Sequence, residues 1–168
     1  MHRRALLFTS SAVVGVMMTG ACWSVTACRS MAASPLTRYR VVHSDAEWRR
    51  ILSPASYQIL RQAGTEPPFS SPLLNEHRVG HFNCAGCALP LYSSTTKYDS
   101  FTGWPSFWAH LPNAVLTSRD NSFGMQRTEV HCSQCGGHLG HVFDDGPQPT
   151  GLRYCMNGLA LSFTPTRA

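Results

Sequence analysis

Cys132-Ser-Gln-Cys135-Gly-Gly-His138-Leu-Gly-His141 is the stretch on which the reading of this chain turns. A cysteine pair two residues apart is backed by two glycines and followed by two histidines. An earlier twin, Cys84-Ala-Gly-Cys87, lies upstream, with 44 residues between Cys87 and Cys132. The two-residue gap lets both sulfurs of a pair turn toward one tetrahedral metal, and Gly86, Gly136 and Gly137 permit the tight backbone this needs. Four thiolates leave no open coordination position. The pattern therefore predicts one structural zinc ion held by Cys84, Cys87, Cys132 and Cys135, pinning two distant β segments together. A redox Cys-x-x-Cys would need a βαβ setting, which the pattern lacks, and a disulfide framework would be even in number and spread out. The seven cysteines here are odd in number and mostly paired locally.

Cys155 has no such partner. It stands in Thr150-Gly-Leu-Arg153-Tyr-Cys155-Met-Asn157, within a run over 152–163 that has strand character. On a strand, side chains alternate, so Arg153, Cys155 and Asn157 fall on one face. Arg153 is expected to lower the thiol pKa, and Asn157 to donate hydrogen bonds to a bound oxygen. The thiolate is the form that attacks electrophilic sulfur. Plain burial is the usual fate of a free cysteine and is the competing reading. His138 and His141 have the ligand chemistry for zinc, but four cysteines already suffice. In Gly103-Trp104-Pro105-Ser106-Phe107, Trp104 beside glycine and proline reads as the wall of an exposed pocket. Phe107 fits a pocket wall and a core position equally.

The flanking chain supplies the scaffold. Ser44-Asp-Ala-Glu47 is a capping box that opens a short helix. Ser53-Pro54 starts a second, with Pro54 at its first position, Tyr57, Ile59 and Leu60 on its buried side, and Gly64 as its left-handed end. From residue 78 the texture changes to short strands, at 80–83, 89–92, 114–116, 127–131, 141–143 and 154–163, with Gly, Pro, Asn and Asp between them. That spacing argues a mainly β, antiparallel domain behind short N-terminal helices.

Residues 1–33 read as an export segment, followed by a linker over 34–43 and a domain over 44–168. Arg3-Arg4 precedes an uncharged apolar stretch that runs to Ala27 and resembles a twin-arginine signal. An exported, periplasmic protein is the expectation. A lipoprotein box ending at Cys28, or a retained membrane anchor over 5–27, stands as the alternative. The formal charge is +5, but without Arg3, Arg4 and Arg29 only eleven basic residues face nine acidic ones. No basic cluster follows residue 30, so nucleic acid is not an expected partner.

Five stretches together resemble the B-type family of methionine-R-sulfoxide reductases, over roughly 44–163. They are Cys-Ala-Gly-Cys at 84–87, Gly-Trp-Pro-Ser-Phe at 103–107, Arg-Thr-Glu-Val at 127–130, the run from Cys132 to Pro147, and Pro-Thr-Gly-Leu-Arg-Tyr-Cys-Met-Asn at 149–157. The resemblance implies two packed antiparallel sheets pinned by the zinc quartet. It places the nucleophile on Cys155, the acid/base histidines on His138 and His141, the methyl-binding indole on Trp104, and positioning roles on Arg153 and Asn157. It implies a sulfenic acid on Cys155, protein-bound methionine sulfoxide as substrate and a thioredoxin-like reductant. Many members carry a resolving cysteine just before Gly-Trp-Pro-Ser-Phe; here Thr102 stands there, so recycling is expected from an external thiol. A zinc-ribbon interaction module without catalysis, or a thiol peroxidase, is the rival reading.

Overall fold

The computed structural model describes residues 39–166; the export segment expected over 1–33, with Cys22 and Cys28, lies outside them. Ser44 caps helix α1 (Asp45–Ile51) reciprocally: its Oγ accepts the Glu47 amide, and the Glu47 carboxylate accepts the Ser44 amide at 2.8 Å. Ser53 caps α2 (Pro54–Gln62) one way only, its Oγ accepting the Ser56 amide. The end of α2 differs from the expectation. Ala63, not Gly64, takes the left-handed conformation, with φ 51°. Gly64 is needed for close approach instead: its N–H donates to Gln58 O at 3.0 Å, and a Cβ there would crowd that oxygen at 2.9 Å. The two helices bury Trp48, Tyr57, Ile59 and Leu60.

Nine strands follow among the described residues. They are β1 (Gly80–Cys84), β2 (Pro90–Ser93), β3 (Lys97–Tyr98), β4 (Ser106–Phe107), β5 (Val115–Asp120), β6 (Arg127–Cys132), β7 (His138–Phe143), β8 (Arg153–Met156) and β9 (Leu161–Pro165). They form two antiparallel sheets. The smaller runs β2-β1-β9 and the larger β3-β4-β8-β7-β6-β5. The mainly β, two-sheet architecture expected from the sequence is the one observed.

The sheets meet through aromatic rings. Tyr92 stacks on Phe107 at 4.3 Å between centroids, Phe82 meets Phe107 edge-on at 4.9 Å, and the Tyr92 hydroxyl donates to Met156 Sδ at 3.0 Å. Phe107 is fully buried in this core, so its seat is structural. One strand assignment is corrected. The run over 152–163 is broken: β8 ends at Met156, a 3₁₀ turn spans Gly158–Ala160, and β9 crosses to the other sheet. The cause is the buried Glu66 carboxylate, which accepts the Gly158 and Leu159 amides and so takes those donors out of any ladder.

Candidate active site

Cys155 lies in the larger sheet with chemistry on both flanking strands. In the register of β7 and β8 it faces His141, and in that of β4 and β8 it faces Ser106. The Gly140 position lets β7 and β8 come this close, because a Cβ there would run into the Cys155 carbonyl. Thr102 Oγ1 lies 3.8 Å from Cys155 Sγ, and Ser100 ties Thr102 to Ser106 through hydroxyl contacts of 2.8 and 2.7 Å. Above the thiol opens a cavity of about 120 Å³ lined by Thr65, Trp104, Arg127, Gly140, His141, Phe143, Cys155 and Asn157.

Of the residues singled out in the sequence, Trp104, His141, Cys155 and Asn157 meet in this cavity. Trp104 is fixed by its Nε1–H, which donates to Glu66 O at 3.1 Å. Asn157 lies beyond the end of β8, not on it. It is buried, with Oδ1 accepting the Glu66 amide at 3.0 Å and Nδ2 donating to Leu139 O at 3.1 Å. His138, Arg153 and Phe107 do not line the cavity. His138 is buried behind His141, 5.5 Å away between ring centroids, and Nδ1 contacts Glu129 Oε1 at 2.7 Å. Arg153 forms a two-pronged ion pair with Asp145, both contacts 2.8 Å, and lies over the Phe143 ring. The second aromatic residue lining the cavity is Phe143, while Phe107, open in the sequence between wall and core, belongs to the core.

The electrostatics follow from burial. His141 Nε2 contacts Asp120 Oδ2 at 2.8 Å, and the same oxygen accepts from Arg127 Nη2 at 2.7 Å. Burial lowers the His141 pKa, opposed by the hydrogen bond to Asp120. The Asp120 carboxyl is held well below the usual range, first by the Ser122 hydroxyl and amide and then by His141. Arg153 acts on the Cys155 thiol in the expected direction but does not decide the outcome. Burial pushes the thiol up, and although hydrogen bonding to Thr102 and the Arg153 charge pull it down, burial wins. The resting site thus pairs a neutral thiol with a neutral imidazole at pH 7. The thiolate accumulates only as pH rises through the elevated pKa, so alkylation of Cys155 by iodoacetamide is expected to keep accelerating beyond pH 9. A rate that levels off below pH 8 would contradict this.

The four paired cysteines converge where strands of the two sheets end. Cys84 ends β1 in the smaller sheet and Cys132 ends β6 in the larger, with Cys87 and Cys135 in the turns that follow. The four sulfurs lie within 4.8 Å of one another, with Cys84–Cys135 at 3.6 Å and Cys87–Cys132 at 3.5 Å. Those separations are far longer than a disulfide and match the edges of a tetrahedron with metal–sulfur bonds of ~2.3 Å. The thiols also compete for protons: Cys84 is pushed up by its contact with Cys132, while Cys132 is pulled down by Cys135. A dication resolves that conflict by letting all four ionise, so the donor set fits zinc.

The SelR domain family matches residues 52–165. A protein of Agrobacterium fabrum named peptide methionine sulfoxide reductase MsrB is 53% identical over 133 residues, covering 79% of this chain and 98% of its own length. Proteins of the same name from Thiobacillus denitrificans and Methanosarcina mazei are 54% identical over 123 residues and 48% over 130. They cover 73% and 77% of this chain and 93% of their own lengths. The chain belongs to the MsrB family.

Within this MsrB-family site, four residues went unnoticed in the sequence: Glu66, Asp120, Arg127 and Glu129. Arg127 and Glu129 stand in the quoted Arg-Thr-Glu-Val stretch, where strand alternation puts both on one face, and the β6–β7 register makes it the face of His141. Asp120 carried no local signal, because only the β5–β6 register brings it beside Arg127. Glu66 is hidden by a loop and is revealed only by its four hydrogen bonds to distant segments.

Proposed function

We propose that the chain reduces the R epimer of protein-bound methionine sulfoxide to methionine. The observation that carries this reading is the seat of Cys155, opposite His141 at the floor of a cavity walled by Trp104 and Phe143. The sulfoxide methyl lies against the Trp104 indole. Cys155 Sγ attacks the sulfoxide sulfur, and the thiol proton passes by way of His141 to the sulfoxide oxygen. In the resulting adduct the protonated oxygen passes from the substrate sulfur to Cys155 Sγ: an Sγ–O bond forms as the substrate S–O bond and the Sγ–S bond of the adduct both break, leaving sulfenic acid on Cys155 while methionine departs as the thioether. The methionine sulfur gains two electrons and the cysteine sulfur loses two, so atoms and charge balance.

Asp120 holds His141 in place by accepting from Nε2, and Arg127 anchors Asp120. Glu129 does the same for His138 behind it. Arg153 and Asn157 act as positioning residues, Asn157 by fixing the Glu66 segment against the cavity. Zinc, held by Cys84, Cys87, Cys132 and Cys135, supplies a cross-link between the sheets. With Thr102 at the Cys155 sulfur, the sulfenic acid is recycled by an external thiol, a thioredoxin-like protein being the natural class. The basic, then apolar, N-terminal stretch supports export to the periplasm, with membrane attachment through the same segment as the alternative.

The test uses separate R and S epimers of N-acetyl-methionine sulfoxide with dithiothreitol. Steady consumption of the R epimer and none of the S epimer is expected. Turnover of neither, or of the S epimer alone, would defeat the reading.

A further inference from the structure

Three phenylalanines stand out of the fold. Phe69, Phe101 and Phe123 are 69%, 82% and 88% exposed, and no other phenylalanine among the described residues is exposed. All three have left-handed backbones, with φ of 62°, 58° and 55°. A bulky side chain is an outlier in that region, where glycine or asparagine relieves the steric penalty. An exposed ring recovers none of that penalty by packing. Core formation therefore does not account for phenylalanine at these three positions.

Each stands on a segment that adjoins residues of the cavity. Phe101 directly precedes Thr102, whose hydroxyl lies 3.8 Å from Cys155 Sγ. The Phe69 amide donates to Gly103 O at 2.7 Å, next to Trp104. Phe123 sits in the turn between Asp120 and Arg127, which meet beside His141, and Arg127 Nη2 also donates to its neighbour Ser122 Oγ at 3.2 Å. A cavity of about 120 Å³ admits one side chain. The rest of any polypeptide entering it must lie outside, over the segments that carry these rings.

Resting on the reading of this cavity as the sulfoxide site, we propose that Phe69, Phe101 and Phe123 form an apolar rim that grips hydrophobic side chains flanking the oxidised methionine. The preferred substrate is then an extended polypeptide segment with apolar residues within about three positions of the sulfoxide, a reach of roughly 10 Å.

The experiment compares the wild-type chain with the triple variant Phe69→Asn, Phe101→Asn, Phe123→Asn, since asparagine tolerates a left-handed backbone. Binding is measured for two short peptides with norleucine at the centre, one flanked by leucine and one by serine. Covering ~60 Å² of apolar surface corresponds to about tenfold in affinity, so the wild type is expected to bind the leucine peptide at least about tenfold more tightly. The variant is expected to lose that preference while its kcat/KM on N-acetyl-methionine-R-sulfoxide stays unchanged. Equal binding of both peptides by the wild type, or a preference that survives in the variant, would overturn the rim. So would a wild-type dimer that the variant dissolves, which would make the rim a contact between copies. Failure of the wild type to reduce the small sulfoxide defeats the reductase reading alone, and the norleucine peptides still decide the rim.

Discussion

Cys155→Ser is expected to abolish single-turnover release of methionine from the R sulfoxide, a loss of more than about 10³-fold, since a hydroxyl at this position is a far weaker nucleophile. The fold should survive. Cys155 is flanked by hydroxyls and hydrogen-bonded strands, and serine is close to it in size. Substrate binding should therefore be retained while chemistry is lost, so the effect falls on the single-turnover rate. His141→Ala should slow the same step by roughly 10²–10⁴-fold, the usual worth of a positioned acid or base. In the wild-type chain, one equivalent of substrate without reductant should consume one thiol and leave a dimedone adduct on Cys155. Loss of two thiols, with a Cys28–Cys155 peptide in the mass spectrum, would replace the external-thiol cycle with an internal one. Unimpaired single turnover in Cys155→Ser would remove Cys155 from the chemistry altogether.

Cys84→Ser is expected to release zinc and unfold the domain together. A structural zinc contributes apparent binding free energies of ~10 kcal/mol or more, comparable to the whole stability of a small domain at ~5–15 kcal/mol. The geometry makes the coupling direct, because Cys84 and Cys132 end strands in different sheets. Without the ion, four thiols crowd a buried site and compete for protons. Metal analysis should find one zinc per wild-type chain and none in the variant, and thermal melting should show a large drop or no transition. A folded, active preparation free of zinc would sink the assignment.

Much of the site was legible because its residue types are chemically narrow. Doubled Cys-x-x-Cys pairs have few uses, and the four sulfurs come together within 4.8 Å as the spacing suggested, close enough to hold a metal ion. Trp104, His141, Cys155 and Asn157 come together as the motifs suggested. What the sequence could not show depended on register and burial. Asp120 reaches His141 only because β5 pairs with β6 and β6 with β7, and no local pattern encodes that alignment. Arg153 does pull the Cys155 thiol down as the sequence suggested, but the larger, opposite effect of burial was out of view, because charge is visible in a sequence and desolvation is not. Phe107 had two equal readings until the stacking on Tyr92 decided for the core. The 152–163 run looked continuous because the residue that breaks it, Glu66, lies some ninety positions earlier.

Glu66 also ties the site together. Its amide is held by Asn157, its carbonyl receives the Trp104 indole, and its carboxylate receives two amides of the turn after β8. The tryptophan wall, the asparagine and the turn thus share one anchor. Releasing any one of them strips a buried polar group of its partner, at a cost of about 1–3 kcal/mol. One loop residue, remote in sequence from all three, is therefore the common fastening of the pocket wall and of the turn that carries the chain from one sheet to the other.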